Sequence, residues 1–205
     1  MRLLRCADSG LLVELADIDA VLALYDALVA ATDRPEWIVD LVPAARTLLV
    51  VLDPTRADFT ELERLLRNTR PTRRQPSDVG TLRIPVRYDG ADLSSVAELT
   101  GLTTAEIVTA HTGTEWTVAF GGFAPGFGYL VNGDPRLRVP RAKVPRTKVP
   151  AGSVGLAGEF SGIYPRESPG GWQLIGRTEL ELWRTDRQPP ALLRPGVRVR
   201  FEDVG

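Results

Sequence analysis

The sequence has few of the residues that bind metals or form disulfides. Cys6 is the single cysteine and His111 the single histidine in 205 residues. One cysteine cannot form a disulfide within the chain, which is typical of proteins in a reducing cytoplasm. A zinc site built from histidine and cysteine is disfavoured too, because such a site needs several of these ligands. We therefore expect a cytoplasmic location and no metal centre.

Long apolar runs and a strong net charge are also missing. No apolar run reaches the roughly 18 residues that can cross a bilayer. The start of the chain lacks the basic and apolar regions of a signal peptide. The formal net charge is −1, so no overall field attracts nucleic acid or a membrane surface. We expect a globular protein that binds neither of them.

One segment is strongly basic in an otherwise balanced chain. Residues 135–158 contain six Arg or Lys residues and no acidic residue. Pro140, Pro145 and Pro150 exclude a helix here, because proline lacks the N–H that a helix interior needs and fixes φ. The segment therefore runs extended or in turns and displays positive charge on a stiff backbone. This pattern predicts a binding site for an anion such as a phosphate or a carboxylate.

The first 70 residues alternate between strand and helix patterns. Apolar spacing predicts strands at 11–15, 37–42 and 47–52. It also predicts a helix of about fifteen residues after Asp17 and a second helix at 57–68. A βαββα unit of this kind is typical of a ferredoxin-like α+β domain. Residues 69–80 lack hydrophobic periodicity and contain prolines and a glycine, which indicates a linker. We place the N-terminal α+β domain at residues 1–78.

The remaining residues, 79–205, follow a different pattern. A strand at 81–88 precedes two short helices, and the second helix begins at Thr103, where Glu106 completes a capping box. From residue 115 onward, short apolar segments alternate with glycine and proline turns. Many short strands separated by tight turns predict a mostly antiparallel β-barrel.

Three motifs in this second domain are more specific than composition explains. They are His-Thr at 111–112 with Gly-Gly-Phe-Ala-Pro-Gly-Phe-Gly-Tyr-Leu at 121–130; Pro-Arg at 140–141 with Pro-Arg-Thr-Lys-Val-Pro-Ala-Gly-Ser-Val-Gly at 145–155; and Gly-Ile-Tyr-Pro at 162–165 with Glu-Ser-Pro-Gly-Gly-Trp-Gln-Leu-Ile-Gly-Arg-Thr at 167–178. In this order they resemble the family of B-type 5-oxoprolinase subunits, also described as allophanate hydrolase subunit 1 or as a sporulation kinase inhibitor. That family is similar to part of the carboxyltransferase region of urea carboxylase. One departure is Gly128, where relatives commonly have proline.

The resemblance implies a fold and an activity. It implies an α+β domain joined to a cyclophilin-like barrel, and a C-type partner subunit whose fold is a related barrel. With a third 5-oxoprolinase subunit, such complexes open 5-oxo-L-proline to L-glutamate with ATP as co-substrate. We therefore expect a subunit of a lactam hydrolase that is inactive without its partners. No phosphate-loop motif occurs in the sequence, so the sequence does not indicate which subunit of the complex binds ATP.

Two alternative functions come from other proteins of the family and region that the motifs resemble. A regulatory module that inhibits a histidine kinase would use the barrel for docking, and the motif residues would then be structural. A urea carboxylase or allophanate hydrolase subunit would act on a related amide. This second alternative is weakened by the absence of a Met-Lys-Met biotin-carrier signal, since Met1 is the single methionine.

Two residues are candidates for catalysis. His111 is the single imidazole and matches the family's His-Thr pair, so any histidine-based proton transfer would use it. Its alternative role is a helix-end histidine. Lys148 lies within the second motif and could stabilise negative charge that develops in the reaction. Its alternative role is a solvated lysine on a basic strand or at a partner interface.

Five further residues are candidates for substrate binding. Arg141 and Arg146 could clamp a carboxylate or phosphate through their planar guanidinium groups. Gly152 and Ser153 could offer backbone N–H groups to an anion, or form a plain turn. Gln173 could recognise a lactam because its amide both donates and accepts hydrogen bonds.

Overall fold

The computed structural model describes residues 1–72 and 80–205. The chain separates into two compact units, residues 1–77 and 78–205. The predicted boundary near residue 78, and most of the predicted linker, fall at residues 73–79, which lie outside the described residues. The domain limits 1–78 and 79–205 therefore stay a prediction. In the two described ranges, no helix is long and apolar enough to cross a membrane.

The first unit is an antiparallel sheet with two helices. Its elements are β1 (Arg2–Cys6), β2 (Gly10–Glu14), α1 (Ile18–Ala30), β3 (Ile38–Pro43), β4 (Thr47–Leu52) and α2 (Phe59–Asn68). The strand order is β1-β2-β4-β3. Asp17 and Asp58 begin the two helices, because each carboxylate accepts hydrogen bonds from backbone N–H groups of the first turn.

Strand β1 lies outside the predicted βαββα pattern. It pairs with β2 as an antiparallel hairpin, so the unit has the order ββαββα. The mixed α/β class of the unit is as predicted. The ferredoxin-like description is not confirmed, because that assignment rested on five elements and the structure has six.

The second unit is built mainly from short strands. Its elements are β5 (Thr81–Val86), α3 (Leu93–Thr100), α4 (Thr104–Gly113), β6 (Trp116–Gly121), β7 (Gly128–Val131), β8 (Arg146–Val149), β9 (Ser153–Ala157), β10 (Phe160–Ile163), β11 (Ser168–Gly170), β12 (Gln173–Arg177) and β13 (Arg198–Asp203). Seven strands form one sheet in the order β12-β9-β10-β7-β6-β13-β5, and β8 pairs with β11 separately. Helix α4 begins with the predicted capping box of Thr103 and Glu106.

The seven-stranded sheet curls into a nearly closed barrel. A bridge between Arg87, which follows β5, and Arg177 at the end of β12 joins the two edges of the sheet. Among the described residues, the β5–β13 pair is the one parallel pair of this sheet. The predicted mostly antiparallel barrel is therefore confirmed. Such closure leaves few unpaired strand edges, and it buries one face of each strand.

The two faces of the barrel wall carry two separate clusters of buried side chains. Inward-facing residues such as Val154, Ile175 and Phe201 form the main core, against which α3 and α4 pack. Leu174, next to Ile175 on β12, belongs to the second cluster, because neighbouring side chains on a strand point to opposite faces. The members of this outer cluster are Phe127, Val149, Ala157, Tyr164, Trp172 and Leu174. The outer cluster supports the candidate site.

Candidate functional site

The basic segment runs as an extended strap, which we define as residues 138–150, along the outer cluster. Its last residues form β8, which pairs antiparallel with β11. Near its middle, the N–H of Ala142 donates to the carbonyl of Gly171 over 2.8 Å. The Gln173 side chain donates to the carbonyl of Pro140 over 3.1 Å. Within the strap the prolines prevent helix formation as predicted, whereas the start of the basic segment forms one short 3-10 helix, Pro135–Leu137. The two hydrogen bonds fix the strap to the barrel.

Three of the five cations of the strap are neutralised within the chain. The pairs are Arg138 with Glu159 at 2.8 Å, Arg146 with Asp92 at 2.5 Å, and Lys148 with Glu167 at 3.3 Å. Arg141 and Lys143 make no ion pair with any residue in the described ranges. Of these two, Arg141 lines the pocket described next, whereas Lys143 does not.

Arg141 lines a pocket whose other walls are aromatic rings and glycines. We call it the aromatic pocket, and its volume is about 70 Å³. The residues around it are Phe123, Phe127, Tyr129, Arg141, Tyr164, Gly170, Gly171 and Trp172. They come from all three sequence motifs. Arg141 is the one charged side chain in this lining.

The rings of the pocket hold one another edge to face. The ring centre of Phe127 lies 5.4 Å from that of Trp172 and 5.5 Å from that of Tyr164, with interplanar angles of 90° and 76°. Tyr129 meets Trp172 at 5.6 Å. Edge-to-face pairs at such distances are the favoured aromatic geometry. The pocket walls are therefore set by mutual ring packing before any ligand arrives.

Backbone geometry also shapes the pocket. Phe123 has φ of +66°, although bulky residues rarely adopt the left-handed region, and the residue is 56% exposed. Such strain concentrates at binding and catalytic sites. At Gly170, an added Cβ would lie 2.2 Å from the hydroxyl of Tyr164. Glycine is required there so that the Tyr164 ring can reach the pocket.

The two tyrosines of the pocket are neutral and near a cation. Burial raises the pKa of Tyr129 and of Tyr164, while the positive charge of Arg141 acts in the opposite direction on both. Both phenols therefore keep their protons at neutral pH and can donate hydrogen bonds. Together with the guanidinium, they make the pocket a site for a negatively charged or hydrogen-bond-accepting group.

Four of the predicted substrate-binding residues do not line this pocket. Arg146 is tied to Asp92, and Gln173 is buried and holds the strap through Pro140. The N–H of Gly152 donates to the Tyr164 carbonyl over 2.7 Å, and the N–H of Ser153 donates to the Pro150 carbonyl over 3.3 Å. These backbone donors are therefore occupied within the fold. A role of these four residues in ligand contact stays a prediction.

His111 lies inside the barrel core. Its Nδ1 is 2.7 Å from the hydroxyl of Tyr88, and its Nε2 is 2.9 Å from Oγ of Ser161. The imidazole stacks on Phe201 with ring centres 4.2 Å apart, and Trp116 Nε1 donates to the His111 carbonyl. Both ring nitrogens thus have partners within the protein.

Burial decides the charge of this histidine. The side chain is fully buried, and desolvation lowers the pKa of His111 to about 3. The ring is therefore neutral at physiological pH. It does not line the aromatic pocket, so its predicted role in proton transfer stays a prediction without a substrate contact to support it.

Asp92 was missed by sequence reasoning, although it organises the site. It is 8% exposed, and its carboxylate accepts from Arg146 and, over 2.7 Å, from the N–H of Leu174. It thereby joins the start of α3 to β12 and to the strap. Its position before a helix predicts an ordinary N-cap, but the carboxylate makes no cap hydrogen bond.

In the ranges 1–72 and 80–205, no group of three or more histidine, cysteine or carboxylate side chains is arranged to hold a metal ion. The polar side-chain groups in the lining of the aromatic pocket are the positively charged guanidinium of Arg141, the two tyrosine hydroxyls and the indole N–H of Trp172.

Curated relatives share the family that the motifs predict. Residues 1–193 match the family described as "Carboxyltransferase domain, subdomain C and D". The chain is 40% identical over 173 residues to the B-type 5-oxoprolinase subunit of Escherichia coli, covering 82% of this chain and 79% of that protein. It is 47% identical over 123 residues to the protein of that name in Bacillus subtilis, covering 58% of this chain and 51% of the relative.

Solved structures agree on the fold. The crystal structure of TTHA0988 is 38% identical with a TM-score of 0.77, and the match covers 96% of this chain and 40% of that one. A conserved uncharacterised protein from Pyrococcus horikoshii is 38% identical with a TM-score of 0.58, covering 99% and 97%. The urea carboxylase of Kluyveromyces lactis has a TM-score of 0.78 at 18% identity, covering 99% and 22%, which shows a shared fold alone. The chain belongs to the family of carboxyltransferase-domain proteins that comprise subdomains C and D, as its three motifs predict.

Proposed function

We propose that this chain is the B-type subunit of an ATP-dependent 5-oxoprolinase, a complex that hydrolyses 5-oxo-L-proline to L-glutamate. The observation that carries the proposal is the 40% identity to a 5-oxoprolinase subunit of this type over 82% of this chain. The geometry supports it, because a hydrolase that acts on an anionic lactam needs a cationic site. Arg141 provides such a site on the face that gathers the family's motifs.

The proposal divides the chemistry between subunits. The partners are a C-type subunit with a related barrel and a third 5-oxoprolinase subunit, in a cytoplasmic complex. ATP is the co-substrate of that complex. Lys148 is the catalytic candidate on the strap. Its ion pair with Glu167 is solvent-exposed, with the two side chains 76% and 62% exposed, so a partner-bound phosphate can compete with Glu167 for the ammonium group. We also propose that the barrel is cyclophilin-like and that the first unit is ferredoxin-like.

The two alternative functions receive less support. The curated relatives carry the name of an oxoprolinase subunit, which does not favour a kinase inhibitor. The likeness to urea carboxylase stands at 18% identity, so it supports a shared barrel and carries no substrate.

Reconstitution tests the proposed function. The chain would be co-expressed with the C-type and third subunits from the same cells, and native mass spectrometry at low salt would establish the assembly. We expect 5-oxoproline to stimulate ATP hydrolysis with matching glutamate release, and omission of this chain to abolish both. An assembled complex that releases no glutamate would refute the proposal, as would recovery of the chain with a histidine kinase in place of these subunits.

A further inference from the structure

One cation, Arg141, lines the aromatic pocket without a carboxylate partner among the described residues. Arg138, Arg146 and Lys148 are each paired with a carboxylate, whereas Arg141 makes no ion pair with any residue in the described ranges. A guanidinium presents N–H groups in a planar fork that matches a carboxylate. No carboxylate from the described residues lines the pocket. The partner of Arg141 is therefore to be sought in a ligand.

The backbone on both sides of Arg141 is held in place. The carbonyl of Pro140 accepts from the buried Gln173 side chain, and the N–H of Ala142 donates to Gly171. These bonds hold the strap against the pocket wall before a ligand arrives. A cation fixed in this way loses less conformational freedom on binding than one on a free loop. Gln173 therefore acts as a positioning residue, because its hydrogen bond to the Pro140 carbonyl holds the backbone next to Arg141.

The size of the pocket limits the ligand. At about 70 Å³ it is well below the roughly 300–1,000 Å³ of sites for drug-sized molecules. It is partly open to solvent, so a small ligand can place one end inside and leave the other accessible. Its walls are the rings of Phe127, Tyr164 and Trp172, which favour a flat or compact apolar moiety.

We infer that the aromatic pocket of this chain binds 5-oxo-L-proline, with Arg141 on the substrate carboxylate and the aromatic rings against the lactam ring. The inference rests on the proposed function for the identity of the ligand. It assigns the carboxylate to Arg141 alone, in place of the clamp with Arg146, because Asp92 already neutralises Arg146. The lactam amide then faces the open side of the pocket, where partner subunits have access.

Steady-state kinetics of the reconstituted complex test the site. Arg141→Met removes the charge at similar side-chain length, Arg141→Lys keeps the charge without the fork, and Lys143→Met is the matched control on the same strap. We expect Arg141→Met to raise the KM for 5-oxoproline by at least about tenfold, the loss of a charge-assisted hydrogen bond. Arg141→Lys should fall between, and Lys143→Met should stay within about twofold.

A direct binding measurement tests the pocket independently of the proposed function. An NMR titration of the isolated full chain compares 5-oxo-L-proline with 2-pyrrolidinone, which has the lactam without the carboxylate. We expect Arg141→Met to weaken binding of the first probe and to leave the weak binding of the second unchanged. An unchanged KM in an active Arg141→Met complex would overturn the site and leave the proposed function standing.

If the complex does not hydrolyse 5-oxoproline, the proposed function fails and the titration decides the site. Binding of 5-oxoproline that depends on Arg141 would then keep the pocket as a carboxylate site. Equal titration curves for the parent chain and the Arg141→Met variant, or no binding by either, would overturn it. Circular dichroism of each variant guards against misfolding as the cause of any loss.

Discussion

The pH dependence of folding offers a direct test of the buried histidine. His111 is the single histidine of the chain, so a variant without it has no other imidazole to titrate. In the folded protein, burial lowers the pKa of His111 to about 3 from an ordinary value of 6.5. Between these two values the unfolded chain binds a proton that the folded chain refuses. The free energy of unfolding therefore falls as the pH drops below the unfolded pKa.

The size of this effect follows from the linkage relation. Each pH unit between the two pKa values changes the free energy of unfolding by about 1.4 kcal/mol. Lowering the pH from about 7.5 to about 5 should thus destabilise the parent protein by about 2 kcal/mol through His111 alone. This figure depends on the unfolded pKa, because the folded pKa lies well below pH 5.

The variant His111→Gln isolates the effect. At about pH 7.5 it should be less stable by about 1–3 kcal/mol, since the hydroxyls of Tyr88 and Ser161 lose a well-placed partner. Near pH 5 the gap to the parent should shrink by about 2 kcal/mol, because the parent alone carries the histidine penalty. Urea unfolding followed by near-ultraviolet circular dichroism measures both gaps. All other titrating groups are shared, so their contributions cancel.

A stability gap that does not change between the two pH values would refute the reasoning. It would mean that the imidazole is accessible to protons in the folded state, or that it is already charged there. Either result would return His111 to consideration for proton transfer in the reaction.

Three further predictions concern stability and turnover, and the first has a matched control. Gly152→Ala should destabilise the protein by about 3 kcal/mol, because φ is +79° and a Cβ would lie 2.1 Å from the carbonyl oxygen of Thr178. Its control, Gly158→Ala, has φ of +61° and open space around the Cβ, so it should cost about 1 kcal/mol. Arg146→Met should cost about 1–3 kcal/mol, since it leaves the buried Asp92 carboxylate without its cation. Lys148→Ala should change stability by less than about 0.5 kcal/mol, yet abolish 5-oxoproline-dependent ATP hydrolysis in the complex. Urea unfolding measures the first two changes, and unfolding with a coupled ATPase assay measures the third.

Each of these has an outcome that would count against it. Equal losses for the two glycine variants would show that the contact at Gly152 relaxes. An Arg146→Met protein as stable as the parent would mean that Asp92 is satisfied by its backbone partner. Normal turnover by the Lys148→Ala complex would remove Lys148 from the catalytic candidates.

Local patterns predicted most of the elements because the forces behind them are local. Short apolar segments between turn residues predicted a barrel of short strands, although not the bounds of each strand, and the capping box at Thr103 and Glu106 begins α4 where expected. Prolines predicted that the strap is not helical. The hairpin strand β1 is missing from the predicted unit, because five residues with two central leucines give too short a pattern to distinguish from a leading segment.

The roles of the charged residues could not be predicted in the same way. The strap carries its cations at similar spacing, and sequence gives no reason to separate Arg141 from Arg146. Asp92 lies 54 residues before Arg146, and only the folded barrel brings the two side chains together. The ion pair with Asp92 removes Arg146 from the anion site, whereas Arg141 has no ion-pair partner among the described residues.

The sequence alone determined the family, the class of each region and the segment that would carry positive charge, because these depend on residue order and short-range periodicity. The tertiary structure decided which of these residues face a ligand. It placed His111 in the core, where desolvation keeps it neutral, and it set Arg141 among aromatic rings. Charge state and accessibility depend on contacts between distant segments, and these contacts exist only after the barrel closes.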